Sequence, residues 1–116
     1  MTVNGVDVSP VSYWRSTMMG NASKHPFWRA VVAEEVYKFP ALQQTIKTPC
    51  TKCHASMGYT EAIFNGQTNY SLAEMKADPI ANDGISCAIC HQIKPDNFGM
   101  VTSYSGKYKI DHDSII

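Results

Sequence analysis

No stretch of the chain approaches the roughly 18 consecutive apolar residues of a membrane-spanning helix. Neither sign of charge is in excess, with Lys+Arg and Asp+Glu at ten each. Electrostatics therefore give no argument for nucleic acid or an anionic membrane surface as a partner. The first residues, Met1-Thr2-Val3-Asn4-Gly5-Val6-Asp7, lack the basic and apolar regions of a signal peptide. No Ser-His-Asp or Cys-His nucleophile set, paired-carboxylate site or phosphate-binding glycine loop is discernible, so the usual signatures of hydrolases and nucleotide-dependent enzymes are missing. There is no low-complexity tract and no convincing domain boundary. Cysteine, finally, is absent everywhere except in two five-residue motifs that use all four copies.

Those motifs are Cys50-Thr51-Lys52-Cys53-His54 and Cys87-Ala88-Ile89-Cys90-His91. Each is the C-x-x-C-H pattern of covalent c-type haem attachment. The spacing follows from the chemistry: two thiols three positions apart on one helical turn can add to the two vinyl groups of one porphyrin. The next residue, His, then places its imidazole under the iron as the proximal ligand. Two covalently bound haem c groups are expected, with Cys50, Cys53, Cys87 and Cys90 as thioethers and His54 and His91 on the irons.

Other uses of a C-x-x-C pair fit less well. A zinc ribbon can be built from two pairs, but 33 residues separate Cys53 from Cys87, against a usual spacing of about 15–20. A ribbon also has no reason to place His after the second Cys in both halves. A thioredoxin-like pair would sit beside a βαβ pattern, which is lacking. Two structural disulfides would leave His54 and His91 without a purpose.

A chain of 116 residues and 12.9 kDa has room for one domain, 1–116. A core this small usually needs a staple, and two covalently held porphyrins would act as one. The expected fold is mainly α with much irregular loop. Ser9-Pro10 opens a first helix carrying Val11, Trp14, Met18 and Met19, stopped at Gly20-Asn21. A second runs from Pro26 to about Phe39, and Pro40 ends it and opens a third through Leu42 and Ile46. Cys50 to Met57 forms a short helix closed at Gly58, and 58–70 is irregular connection. Ser71-Leu72-Ala73-Glu74 matches a capping box, starting a helix that stops near Asp78-Pro79. After a turn at Asp83-Gly84, Ile85 to Ile93 carries the second motif. Val101 to Ile110 reads as a short C-terminal β-hairpin around Ser105-Gly106.

The second axial ligands are left open by the residues. Two spare histidines, His25 and His112, fit a bis-His arrangement. The plain alternatives are an exposed cap before Pro26 for His25 and a solvated residue in Asp111-His112-Asp113 for His112. Methionine is the rival, with Met18 and Met19 beside Trp14 as alternative distal ligands. Met57 leaves the helix that carries His54, and Met75 and Met100 are further sulfur donors, although a lone Met is more often core filling. A distal ligand could also come from a neighbouring chain or from sequence beyond Ile116. Trp14, Trp28, Phe27, Tyr13, Tyr37 and Phe39 suit packing on a porphyrin or ordinary helix packing equally.

Taken together, Tyr13-Trp14-Arg15-Ser16-Thr17-Met18-Met19, Pro26-Phe27-Trp28-Arg29-Ala30, the first motif with Met57, Asp83-Gly84-Ile85-Ser86 with the second motif and Gln92-Ile93, and Tyr104-Ser105-Gly106 resemble the N-terminal part of a group of bacterial exported multihaem cytochromes c. The resemblance implies a small multihaem cytochrome c domain, either an excised N-terminal module or a short relative of longer proteins. It implies electron transfer outside the cytoplasmic membrane, in a periplasmic or extracellular location. Because c-type haem is normally attached after export, the haem motifs themselves lead to the expectation that an export signal has been removed from this chain. The partners it implies are other redox proteins or haem domains. His25 stands where the group would carry an acidic residue, which shifts weight toward Met18 and Met19. A dihaem carrier of single electrons, rather than an enzyme, is thus the leading expectation. A catalytic or ligand-sensing haem module with one open axial site is the alternative.

Overall fold

Proline sets where the helices begin. A computed structural model of the chain describes residues 1–113, and in it four of the six prolines occupy the first turn of a helical segment. There the fixed φ suits the helix and the missing N–H was an orphan anyway. Pro10 opens α1 (Pro10–Tyr13), Pro26 opens α2 (Pro26–Lys38), Pro40 opens a 3₁₀ turn (Pro40–Leu42), and Pro79 opens α6 (Pro79–Asn82). Between them lie α3 (Gln43–His54), α4 (Ser56–Phe64) and α5 (Leu72–Ala77), and α7 (Cys87–His91) follows. Mainly helical architecture is as expected, and so is the Ser71 capping box: Ser71 Oγ accepts from the Glu74 N–H at 3.2 Å while the Ser71 N–H donates to Glu74 Oε2 at 2.7 Å.

The first helix is shorter than its apolar spacing predicts. After Tyr13 the chain tightens into a 3₁₀ turn (Trp14–Ser16) and leaves it at Thr17 in an extended conformation. Ser16 Oγ donates to the Tyr13 carbonyl and Thr17 Oγ1 to the Trp14 carbonyl, both at 2.7 Å. Such local hydroxyl bonds compete with the helix ladder. Met18 and Met19 therefore sit on a turn rather than on a helix face. Conversely, α3 is longer than expected and runs straight through Pro49. The carbonyl that Pro49 leaves unpaired, that of Thr45, is on an exposed stretch where water can serve it. Residues 58–64, expected as irregular, belong to α4. Gly58 lies inside that helix because it packs against Tyr70, Asp78 and Ala81, where a side chain would collide.

The C-terminal hairpin expected over 101–110 does not form. Ser105 and Gly106 do take the positive φ values of a tight turn, at 55° and 72°. The residues after it pair elsewhere: Lys109 O accepts from the Lys94 N–H at 2.9 Å and the Asp111 N–H donates to Gln92 O at 2.7 Å, with a bridge between Ile93 and Ile110. The exit from the second motif offers a free backbone edge, and the chain end takes it. A hairpin does occur at the other end, β1 (Thr2–Val3) against β2 (Val6–Asp7), turned by Asn4-Gly5 with φ of 52° and 82°. Asn-Gly is the strongest short hairpin signal, and here it governs.

The core is small. Trp28, Val32, Ala55, Tyr70, Met75 and Ala81 are buried together where α2, α3, α4 and α6 meet, with Ile46, Tyr59 and Leu72 half-buried around them. The accessible surface is 7882 Å², against roughly 6300 Å² for a monomer of this mass. The radius of gyration, 15.8 Å, likewise exceeds the roughly 13 Å expected for this length. Part of the exposed apolar surface lies beside the two motifs, where Met18, Phe27, Val31 and Phe64 line hollows.

Candidate haem sites

The first motif forms the last turn of α3. Thr51, between its cysteines, is fully buried and its hydroxyl donates to the Tyr70 carbonyl at 2.9 Å, which fastens the turn to the segment preceding α5. Cys50 is half-buried and Cys53 exposed, and both are free thiols. Burial, with a smaller contribution from neighbouring Cys53, pushes the Cys50 thiol up from its ordinary range. Ending α3 at His54 leaves the imidazole at the helix terminus, where it stacks on the indole of Trp28 with ring centres 4.3 Å apart and planes 12° from parallel. Its Nδ1 lies 3.2 Å from the Ala22 carbonyl oxygen. A carbonyl only accepts, so the imidazole donates from Nδ1 and keeps the Nε2 lone pair uncommitted.

His54 forms part of the wall of an open cavity of about 480 Å³, whose lining is almost entirely apolar. Phe27, Val31 and Ile85 face it, and so do three of the four residues expected as distal ligands: His25, Met18 and Met19. Met18 is 85% exposed and Phe27 73%, a costly arrangement for side chains of this kind in water. His25 is the N-cap of α2, its Nδ1 accepting from the Trp28 N–H at 3.4 Å.

The second motif forms α7. Ile89 turns inward and is buried, while Cys87, Cys90 and His91 are exposed, the cysteines again as free thiols. Two hollows flank the helix. One, of about 290 Å³, is lined by Met57, Phe64, Ile80, Ala88, Ile89 and His112, with His112 stacked on Phe64 at 4.2 Å. The other, of about 510 Å³, is more polar and brings Trp14, Arg15 and Asp83 beside Cys87. Thus His112 stands beside α7 and not in the cavity of His54. Met75 is fully buried in the core, and Met100 is exposed on a turn.

The two motifs are neighbours. Tyr108, half-buried, has its phenol pushed up from the ordinary tyrosine range, first by burial and then by its electrostatic coupling to Cys53 and Cys90, one from each motif. Tyr108 shares a hollow with Lys52 and Tyr59 from the first motif's side, and its segment pairs with Gln92 and Lys94 just past the second. A second tie runs through the turn after α1: the Ile85 N–H donates to Met19 O at 3.1 Å, and Arg15 grips Asp83 through Nε and one terminal nitrogen at 3.1 and 3.2 Å.

Among the described residues, no three His, Cys, Asp or Glu side chains gather into one ligand cluster. Trp28, Thr51 and Tyr108 are the site residues that pattern reading did not single out. Trp28 was one aromatic among six, and Thr51 carried a faint signal, a small polar residue on the inner face of a motif helix. Comparison with protein-family models, curated proteins and solved structures finds no match.

Proposed function

We propose that this chain is a dihaem c-type cytochrome that passes single electrons between redox partners outside the cytoplasm. The observation that carries the reading is the state of His54. A metal-bound histidine usually donates its second ring nitrogen to a carbonyl or carboxylate, which sets the tautomer and aims the other nitrogen. His54 has that partner in Ala22 O, a bracing ring in Trp28, two thiols on the preceding turn, and an apolar cavity at its side. An apolar wall with exposed Met18, Phe27 and Val31 fits a flat apolar group better than it fits water. Haem, when bound, supplies an iron that changes oxidation state by one electron at a potential tuned by its axial ligands and burial.

The chain's own residues have the remaining tasks. Cys50, Cys53, Cys87 and Cys90 hold the two groups, His54 and His91 each give one nitrogen, and Trp28 limits rotation of the His54 ring. Tyr108 and the 104–113 segment tie the Lys52 side of the first motif to Gln92 and Lys94 just past the second, a link that suits a relay. The thin core and large apolar surface accord with a chain completed by its cofactors.

Mass spectrometry of natively matured protein tests the reading, with the peptide mass increased by two macrocycles as the expected result. The bare peptide mass would refute it. Visible spectra with and without carbon monoxide then separate a carrier from a catalyst or sensor. Two low-spin haems indifferent to carbon monoxide support the carrier, and a high-spin fraction that binds it supports the alternative.

A further inference from the structure

We infer that His25 is withheld from the iron beside His54, and that the Met18–Met19 pair supplies its sixth ligand through a thioether sulfur; the inference rests on the haem reading above. The two histidines on this cavity wall hold opposite tautomers. His54 donates from Nδ1 to the Ala22 carbonyl, which in the neutral ring puts the lone pair on Nε2. His25 does the reverse. Its Nδ1 accepts the Trp28 N–H, and a neutral imidazole that accepts at Nδ1 carries its proton on Nε2. No lone pair is left for a metal.

Freeing His25 would disturb more than one residue. Pro26 has no N–H, so the Phe27 and Trp28 amides are the first orphan donors of α2, and His25 is the side chain that serves one of them. Trp28 is also the residue stacked on His54. Rotating His25 toward an iron therefore uncaps a 13-residue helix at the point that braces the proximal ligand. The methionines carry no such duty. Both line the same cavity, and Met18 is so exposed that it has little packing to lose. Met19 is held at the site by its backbone: its carbonyl accepts from the Ala22 N–H at 3.2 Å and from the Ile85 N–H at 3.1 Å. The pair thus sits one hydrogen bond from the residue that orients His54.

The test uses matured holoprotein, as wild type and as His25→Asn, Met18→Leu, Met19→Leu and the double Leu variant. Asn is a strong N-cap, so His25→Asn preserves the start of α2. The oxidised wild type should show the weak far-red sulfur-to-iron charge-transfer band of a His/Met haem, and His25→Asn should retain it with both haems low-spin. One single Leu variant, and the double variant, should lose the band, gain a high-spin fraction from one haem of the two, and shift that haem's potential. A wild type without the band, a double Leu variant that keeps it, or His25→Asn that becomes high-spin would overturn the assignment. Protein masses from the same samples separate the two failures. Haem present without the band overturns the ligand alone, whereas haem absent overturns the cytochrome reading with it.

Discussion

Replacing Thr51 by Val changes one functional group at the centre of the first motif. The side chain is fully buried, and its hydroxyl lies 3.0 and 3.1 Å from the Lys47 and Thr48 carbonyls of its own helix and 2.9 Å from the Tyr70 carbonyl, 19 positions away. Val has nearly the same shape, so neither a cavity nor overpacking is created. What changes is the Tyr70 carbonyl, which is left inside the protein without its partner. An unsatisfied buried acceptor costs about 1–3 kcal/mol. For 116 residues the unfolding entropy is roughly 0.24 kcal/mol/K, so the melting temperature should fall by about 4–12 °C. Thr51→Ser keeps the hydroxyl and loses one methyl, about 0.5–1.5 kcal/mol by analogy with Ile→Val. Thermal unfolding of matured protein, followed by far-ultraviolet circular dichroism, should therefore rank wild type above Ser and Ser above Val. A Val variant that melts with the wild type, or above the Ser variant, would refute the claim that this hydrogen bond anchors the motif.

Gly58→Ala should destabilise by about 1–3 kcal/mol despite the roughly 1 kcal/mol gain in helix propensity. The new methyl would lie 2.6 Å from Asp78 Oδ2 and from the Tyr70 hydroxyl, and 2.7 Å from Ala81 Cβ; denaturant titration of matured protein reads the difference. Ser71→Ala removes one half of the capping box and should cost about 1 kcal/mol in the same titration, with Ser71→Asn close to neutral. The Tyr70 phenol is held well above its ordinary value, by burial first and by its bond to Asp78 next. The folded chain then keeps a proton that the unfolded chain releases, so stability is complete below about pH 10 and declines as pH rises further. An alkaline melting series should show that decline in the wild type and a smaller one in Tyr70→Phe. The haem-free chain, with its thin core, should give a weak helical circular dichroism signal and a broad thermal transition, whereas a sharp cooperative melt would contradict the idea that the cofactors complete the fold.

Much of the helical layout was legible because its signals act over a few residues. Pro26 and Phe39 bound α2 within a residue of the expected span, and the Ser71 and Glu74 pair forms the reciprocal cap that its spacing announces. The misreadings share a cause. Trp14 and Met18 have helical spacing, but hydroxyls on Ser16 and Thr17 offered the backbone another set of bonds. Gly58 looked like a helix stop, yet its role is to let α4 approach Tyr70 and Ala81. At Ser105-Gly106 the turn chemistry was real, but the strand expected to follow found its partner at Gln92 and Lys94.

The atoms on which the haem proposal rests are legible in the primary structure alone: two thiols and an imidazole fall within one short motif, twice, and that relation needs no tertiary contact. The chemical state and surroundings of those atoms depend instead on partners brought in by folding. The Ala22 carbonyl that selects the His54 tautomer is 32 positions away, and the Trp28 N–H that selects the opposite tautomer at His25 belongs to the helix whose indole braces His54. Side-chain type is local information. Which lone pair stays free depends on a partner brought close by folding, and no spacing rule encodes that partner.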